Sequence, residues 1–234
     1  MHVVLVPGYL LDHRLWTAVT RRIECRATVS IPDLSGFDSV DAMADHVLQQ
    51  APPRFVLIGL SMGGYVSLTM MRKAPERIQA LGLLNTQAGV DKPATLERRE
   101  KLRALVAAGG LEEAKASLRP LMLRPDHLAP GQPARTALDA MYADYDAGVF
   151  LRQQNALNSR RDNHDVLPTI SCPTLLLGTR QDALTPPPIQ QSMAEAIPNA
   201  RLVILENSGH LSPLEKPEAV AGTIDTWLAE YQCP

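Results

Sequence analysis

Phe55-Val56-Leu57-Ile58-Gly59-Leu60-Ser61-Met62-Gly63-Gly64 is the stretch that decides the fold. The apolar run Phe55 to Ile58 stops at a glycine. Beyond the turn, Val66, Leu68, Met70 and Met71 continue a helical pattern that ends before Pro75. The order is strand, tight turn, helix. Glycines on both sides of the serine suit such a turn, because strand and helix approach so closely that side chains at Gly59 and Gly63 would collide. The turn pushes the Ser61 hydroxyl out at the top of the sheet and aims the first N–H groups of the helix at a developing oxyanion. A plainer reading makes Ser61 a helix cap in a small-residue turn. The strand–turn–helix context favours a nucleophile.

Working outward, similar runs recur: Val3 to Val6, Ala27 to Ile31, Leu81 to Leu84, Thr174 to Leu177 and Arg201 to Leu205. Each is closed by turn residues, and they are continuous rather than alternating, as in parallel strands covered on both faces. Helical patterns separate them: Asp12 to Arg22, Ser39 to Gln50, Pro188 to Ile197 and Glu218 to Tyr231. Strand–helix alternation of this kind implies crossover connections and a doubly wound α/β sheet. One stretch departs from it. From 87 to 168 only helical patterns appear: Thr95 to Ala108, Leu111 to Leu121, Ala134 to Tyr145 and Val149 to Asn158. The expected organisation is an α/β core (1–86 and 169–234) with a helical cap (87–168) inserted over the strands' C-terminal ends.

Composition narrows the classes. The 234 residues carry 23 Lys plus Arg against 25 Asp plus Glu, a net charge of −2, which argues against a nucleic-acid or acidic-membrane surface. A hydrophobic fraction of 45% is enough for a real core and excludes disorder as the main state. Cys25, Cys172 and Cys233 lie far apart, so no local thiolate metal site or dithiol motif is available, and free thiols in a reducing cytoplasm are expected. The apolar start of the chain stops at Pro7 without a basic leader, and no run approaches a membrane span. A soluble, cytoplasmic protein, monomer or homodimer, is the expectation.

A serine hydroxyl needs a base to accept its proton. Of six histidines, His2 falls in the first strand, His13, His46 and His127 on or beside helices, and His164 in a polar segment of the cap. His210 follows the last strand, in Asn207-Ser208-Gly209-His210-Leu211, at the same edge as the serine turn, and is the candidate base. The base in turn needs a carboxylate to fix its tautomer. Asp182 follows the fifth strand in Gly178-Thr179-Arg180-Gln181-Asp182 and completes the chain order serine, acid, histidine. Asp91, Asp162 and Asp165 are rivals placed less well. The backbone N–H groups of Tyr9, in the loop after the first strand, and of Met62 are the candidate oxyanion donors.

With these residues in place, the chain resembles the α/β-hydrolase superfamily over nearly its whole length. Pro7-Gly8-Tyr9 is similar to the His-Gly-x oxyanion loop, with Pro7 where histidine is usual. Ile31-Pro32-Asp33-Leu34-Ser35-Gly36 is similar to the loop after the next strand, and Gly59 to Gly64 to the nucleophile elbow. Gly178 to Asp182 and Ser208 to His210 resemble the acid and base loops. Within the superfamily the resemblance points to small bacterial serine carboxylesterases with a four-helix cap, the group that includes the pimeloyl-carrier-protein methyl esterase type. The family's first strands are not represented, so about six parallel strands are expected.

The resemblance and the residues together imply hydrolysis of a small carboxylic ester, thioester or lactone through an acyl-serine intermediate, with no cofactor and no metal. Acyl transfer and carbon–carbon bond hydrolysis on the same residues remain alternatives, as does a small-molecule receptor with little turnover. Substrate contacts are expected from Tyr9, Met122, Met141, Tyr145 and Phe150, although cap residues of this kind also form the cap's own core. Arg119, Arg124, Arg152 and Arg160 are candidates for receiving a carboxylate, with ordinary solvated charge as the plainer reading. The cap carries twelve Lys or Arg against eleven Asp or Glu, so its overall charge predicts no strong steering.

Overall fold

The computed structural model describes residues 1–232, so Cys233 lies outside the described residues. The apolar runs become β1 (His2–Val6), β2 (Thr28–Ser30), β3 (Phe55–Leu60), β4 (Ile78–Leu84), β5 (Thr174–Thr179) and β6 (Ala200–Leu205). They pair in the order β2-β1-β3-β4-β5-β6, and every pair is parallel. The expected doubly wound sheet of six strands is therefore the observed one. Central strands β3 and β5 are buried along their whole length, which is why their sequences run apolar without alternation. The edge strands β2 and β6 are only partly buried, and β2 has three residues.

The helices, in chain order, are α1 (Thr17–Ile23), α2 (Val40–Gln50), α3 (Met62–Lys73), α4 (Pro93–Ala107), α5 (Leu111–Met122), α6 (Pro133–Asp144), α7 (Ala147–Ser159), α8 (Pro187–Ala196), α9 (Ser212–Glu215) and α10 (Pro217–Gln232). Local chemistry sets several ends. The Ser39 hydroxyl accepts the Ala42 N–H at the start of α2, and Asp146 accepts the Val149 N–H at the start of α7. Proline opens α4, α6, α8 and α10, where a missing N–H costs nothing. The predicted first helix divides into a 3-10 turn (His13–Trp16) and α1. The four-residue α9 has too short a period to read from sequence.

Topology places the site. The chain moves from β1 to β2 on one side, then crosses back to β3 on the other, and continues in that direction to β4. Right-handed crossovers then put α1 on one face and α2, α3 and α8 on the opposite face. Accordingly α1 packs on α10, and α2 on α3. The reversal between β1 and β3 opens a crevice at their carboxyl ends, where open α/β sheets bind ligands. Helices α4 to α7 lie between β4 and β5 in sequence, with no strand among them. No helix among the described residues is long and apolar enough to cross a membrane.

Candidate active site

Ser61 stands between the carboxyl end of β3 and the first residue of α3, with φ 54° and ψ −114°. A left-handed φ on a non-glycine residue costs about 1–3 kcal/mol and persists only where surroundings enforce it. Here the Ser61 N–H donates to the Leu84 carbonyl at 3.0 Å, and the Ser61 carbonyl accepts from the Gly64 N–H (2.9 Å) and the Thr86 hydroxyl (2.8 Å). The two flanking glycines have different reasons. A Cβ at Gly59 would collide with the Gly63 carbonyl, and a Cβ at Gly63 would run into the Val6 carbonyl of β1.

From this turn the Ser61 Oγ lies 2.8 Å from His210 Nε2. On the far side of the ring, Nδ1 lies 3.0 and 2.9 Å from the two Asp182 oxygens. A carboxylate only accepts, so Nδ1 carries the proton and Nε2 offers its lone pair to the serine hydroxyl. The three predicted residues are thus brought into one hydrogen-bonded line from the ends of β3, β5 and β6. Asp91, Asp162 and Asp165 are engaged elsewhere, with arginines or His164.

Asp182 is buried and fully satisfied. Its Oδ1 accepts the Leu184 and Thr185 N–H groups at 2.8 and 3.0 Å; its Oδ2 accepts the Thr185 hydroxyl (2.6 Å) and the Asn85 amide (2.9 Å). Burial alone would push its pKa up. The charge and hydrogen bond of His210, with the Thr185 bonds, outweigh that and hold the carboxyl well below the usual range. Asn85, at φ 43°, extends the net: its amide also donates to the Thr179 hydroxyl (3.0 Å), and its oxygen accepts the Ser212 hydroxyl (2.6 Å). Asn85 and Thr185 were not legible as site residues. The only sequence signal is that each follows a strand end.

Met62 is the first residue of α3, so its N–H has no carbonyl four residues back within the helix. The Tyr9 loop is fixed from α7. Gln153 of α7 accepts the Leu10 N–H at 2.8 Å while Leu10 adopts φ 53°, and Gln154 donates to the Tyr9 hydroxyl at 2.9 Å. Burial pushes the Tyr9 phenol well above its ordinary pKa, so it stays protonated. Neither glutamine stood out in the sequence.

A cavity of about 340 Å3 opens over Ser61 and His210. Of the predicted substrate contacts, Tyr9 and Met122 line it. Met141 and Phe150 do not: both are fully buried in the core, with Phe150 packed edge-on against Tyr9. Tyr145 borders a separate hollow with Leu11 and Asp33, and its hydroxyl donates to the Leu11 carbonyl at 3.1 Å. Helical periodicity marks buried positions but does not say which neighbour covers them. The four candidate arginines are all engaged: Arg119 with Asp139, Arg124 with Asp126, Arg152 with the Ser35 carbonyl, and Arg160 with Asp91. Arg160 also stacks 4.3 Å from the Tyr65 ring centroid.

Comparison with known proteins shows what the chain as a whole is similar to. The chain is 27% identical to a pimeloyl-[acyl-carrier protein] methyl ester esterase of Nitrosomonas europaea, over 95% of this chain and 94% of that protein. It is 32% identical to a putative carbamate hydrolase of Pseudomonas savastanoi pv. phaseolicola, over 68% of this chain and 62% of that protein. Among solved structures, a thermophilic esterase from Thermogutta terrifontis superposes with a TM-score of 0.90 at 30% identity, covering 99% of this chain and 90% of that one. The enol-lactonase of Burkholderia xenovorans LB400 shares the fold, with a TM-score of 0.88 at 20% identity over 97% and 91% of the two chains. The sequence profile described as the alpha/beta hydrolase family matches residues 3–223. With that match spanning the serine turn and both partner loops, the chain belongs to the alpha/beta hydrolase family and is of its esterase type.

Proposed function

We propose that this protein hydrolyses a small carboxylic ester, thioester or lactone through an acyl-Ser61 intermediate. The observation that carries the reading is the unbroken line from Ser61 Oγ to His210 to Asp182, with 2.8 Å on the serine side. His210 Nε2 takes the hydroxyl proton as Oγ attacks the carbonyl carbon, and Asp182 stabilises the imidazolium without accepting its proton. The oxyanion is held by the Tyr9 and Met62 N–H groups, each worth about 3–4 kcal/mol in comparable sites. Collapse of the tetrahedral species returns the proton from His210 to the leaving alcohol, thiol or ring oxygen. Water then attacks the acyl-serine with the same base, and the acid product leaves. Every proton is handled by side chains of this chain, so the reading calls for no cofactor. A cavity of about 340 Å3 suits a small acyl group.

Labelling with a fluorophosphonate and locating the adduct by peptide mass tests the nucleophile. Turnover of p-nitrophenyl esters of increasing acyl length by wild type and Ser61→Ala tests the reaction. The expected result is a label on Ser61 and loss of at least about a thousandfold in the variant. Undiminished turnover in Ser61→Ala ends the reading. A label without turnover of any ester supports acyl transfer instead.

A further inference from the structure

Four cations lie on α4, and three are neutralised within the chain. Arg99 pairs with Asp91 at 2.9 Å, Lys101 with Glu97 at 2.7 Å, and Arg103 with Glu100 at 3.5 Å. Arg98 is different. Among the described residues no carboxylate lies within 4.0 Å of it and none of its nitrogens makes a hydrogen bond; Nε is buried, so the two Nη groups are the ones a partner from the cavity can reach. Leaving a charged donor buried and unmet costs about 1–3 kcal/mol or more.

The position of this unmet charge indicates its purpose. Thr95, Arg98, Arg99 and Leu102 follow helical spacing along one face of α4, and that face lines the cavity over Ser61. Lys92, which caps α4, lines it too and has no carboxylate within 4.0 Å among the described residues. The lining contains one acidic residue, Asp91, and both Arg99 and Arg160 already hold it. The remaining positive charge faces the space where substrate must lie. Arg98 also borders a shallower hollow with Glu113, but that carboxylate stands beyond ion-pair distance. Leu118, Leu121, Met122 and Leu157 give the cavity an apolar stretch of wall, beside uncharged polar residues such as Gln87 and Gln154.

Resting on the esterase reading above, we infer that the substrate carries a carboxylate at the end of a short apolar chain, and that Arg98 receives it with Lys92 alongside. A planar guanidinium can take both oxygens of a carboxylate, whereas a neutral ester offers it no anion to pair with. Arg98 is thus a specificity-determining residue, distinct from the groups that handle the reacting carbonyl. The preferred substrates are monoesters of dicarboxylic acids, or lactones and thioesters bearing a free carboxylate.

Mono-p-nitrophenyl adipate and p-nitrophenyl hexanoate make the test, since they differ chiefly in a terminal carboxylate against a methyl group. Wild type should show the higher kcat/KM on the adipate ester. In Arg98→Gln the adipate-to-hexanoate ratio should fall about ten- to hundredfold, the range of a hydrogen-bonded charge pair. Arg98→Lys should keep part of it, and Lys101→Gln, on the same helix, should leave it unchanged. A wild-type preference for hexanoate overturns the inference even where Arg98→Gln fails to fold, and so does an unchanged ratio in a folded Arg98→Gln. Absence of both turnover and Ser61 labelling would instead sink the esterase reading. Calorimetry with adipate on the intact protein then decides the subsite: heat of binding that disappears in Arg98→Gln supports it, and no binding to wild type removes it.

Discussion

Asp182, buried behind His210 at the rim of the sheet, and Arg98, on the helix that lines the cavity, carry opposite charges and are treated in opposite ways. Asp182 is met on both oxygens by backbone, hydroxyl, amide and imidazole donors. Arg98 makes no hydrogen bond and has no carboxylate within 4.0 Å among the described residues. A charge that must orient a base for every substrate is best saturated, because each bond removes a way of moving. A charge that must recognise one substrate among several is best left unsaturated, because the missing bond is what the substrate supplies. On the proposed reading the sheet rim carries the chemistry and the covering helices carry the choice.

Asp182→Asn probes the saturated side and should have the largest effect. An amide in that position favours the wrong histidine tautomer, and kcat should drop by about four orders of magnitude in steady-state ester hydrolysis. The pH dependence of stability tests the same group. Its folded-state pKa is depressed, so its contribution is fully present above the ordinary carboxylate pKa of about 4 and is lost as pH falls below that. Buried Glu215 works the other way. It accepts the Gly209 N–H at 3.0 Å and the Arg124 N–H at 3.1 Å, and burial, outweighing these bonds, raises its pKa. Its contribution is present below about pH 4 and is lost as pH rises through the raised value. Between pH 5 and 3 the melting temperature of Asp182→Asn should therefore fall less steeply than that of wild type. An equal slope in both proteins would show that Asp182 is not the saturated charge described here.

Gly63→Ala separates geometry from charge on the same side. The added methyl group meets the backbone carbonyl of Val6, which has no flexible end to move aside. The expected cost is about 3 kcal/mol or more, read as a fall in melting temperature of roughly 6–12 °C for a chain of this size. Unchanged stability would mean that α3 and β1 stand farther apart than the structure has them.

The contrast between rim and cap also explains what the sequence made legible. Strand and helix identities followed from apolar period and turn residues, because backbone hydrogen bonding and burial act locally. Ser61, Asp182 and His210 could be picked out because each follows a strand in a turn, and parallel topology gathers strand ends at one edge. The cap followed different rules. Its helices were periodic enough to predict, but which side of each faced the cavity depends on angles between helices that no local pattern encodes. Met141 and Met122 both sit at apolar positions, and only the second lines the cavity. Arg98 was indistinguishable from its charged neighbours, since being unpaired is a property of the surroundings. The charge count over the whole cap predicted no steering because it averaged paired cations with the one that matters.

The smallest expected effects on turnover come from that pair of methionines, and they test whether the interior of helices α4 to α7 and the cavity wall are separable. Met141 is fully buried, so Met141→Ala should cost about 2–5 kcal/mol in denaturant unfolding through lost contacts and a residual void. Where the variant is folded, KM should move little, because Met141 does not line the cavity. Met122 lines the cavity, and the Leu211 N–H beside the candidate base donates to its backbone carbonyl at 3.1 Å, a bond that survives truncation of the side chain. Met122→Ala should therefore raise KM for medium-chain esters by less than about tenfold, the loss of a few methylene contacts, with little change in kcat. A large kcat defect in Met122→Ala would mean that the cap helps to position His210, and that choice and chemistry are not divided between the two regions after all.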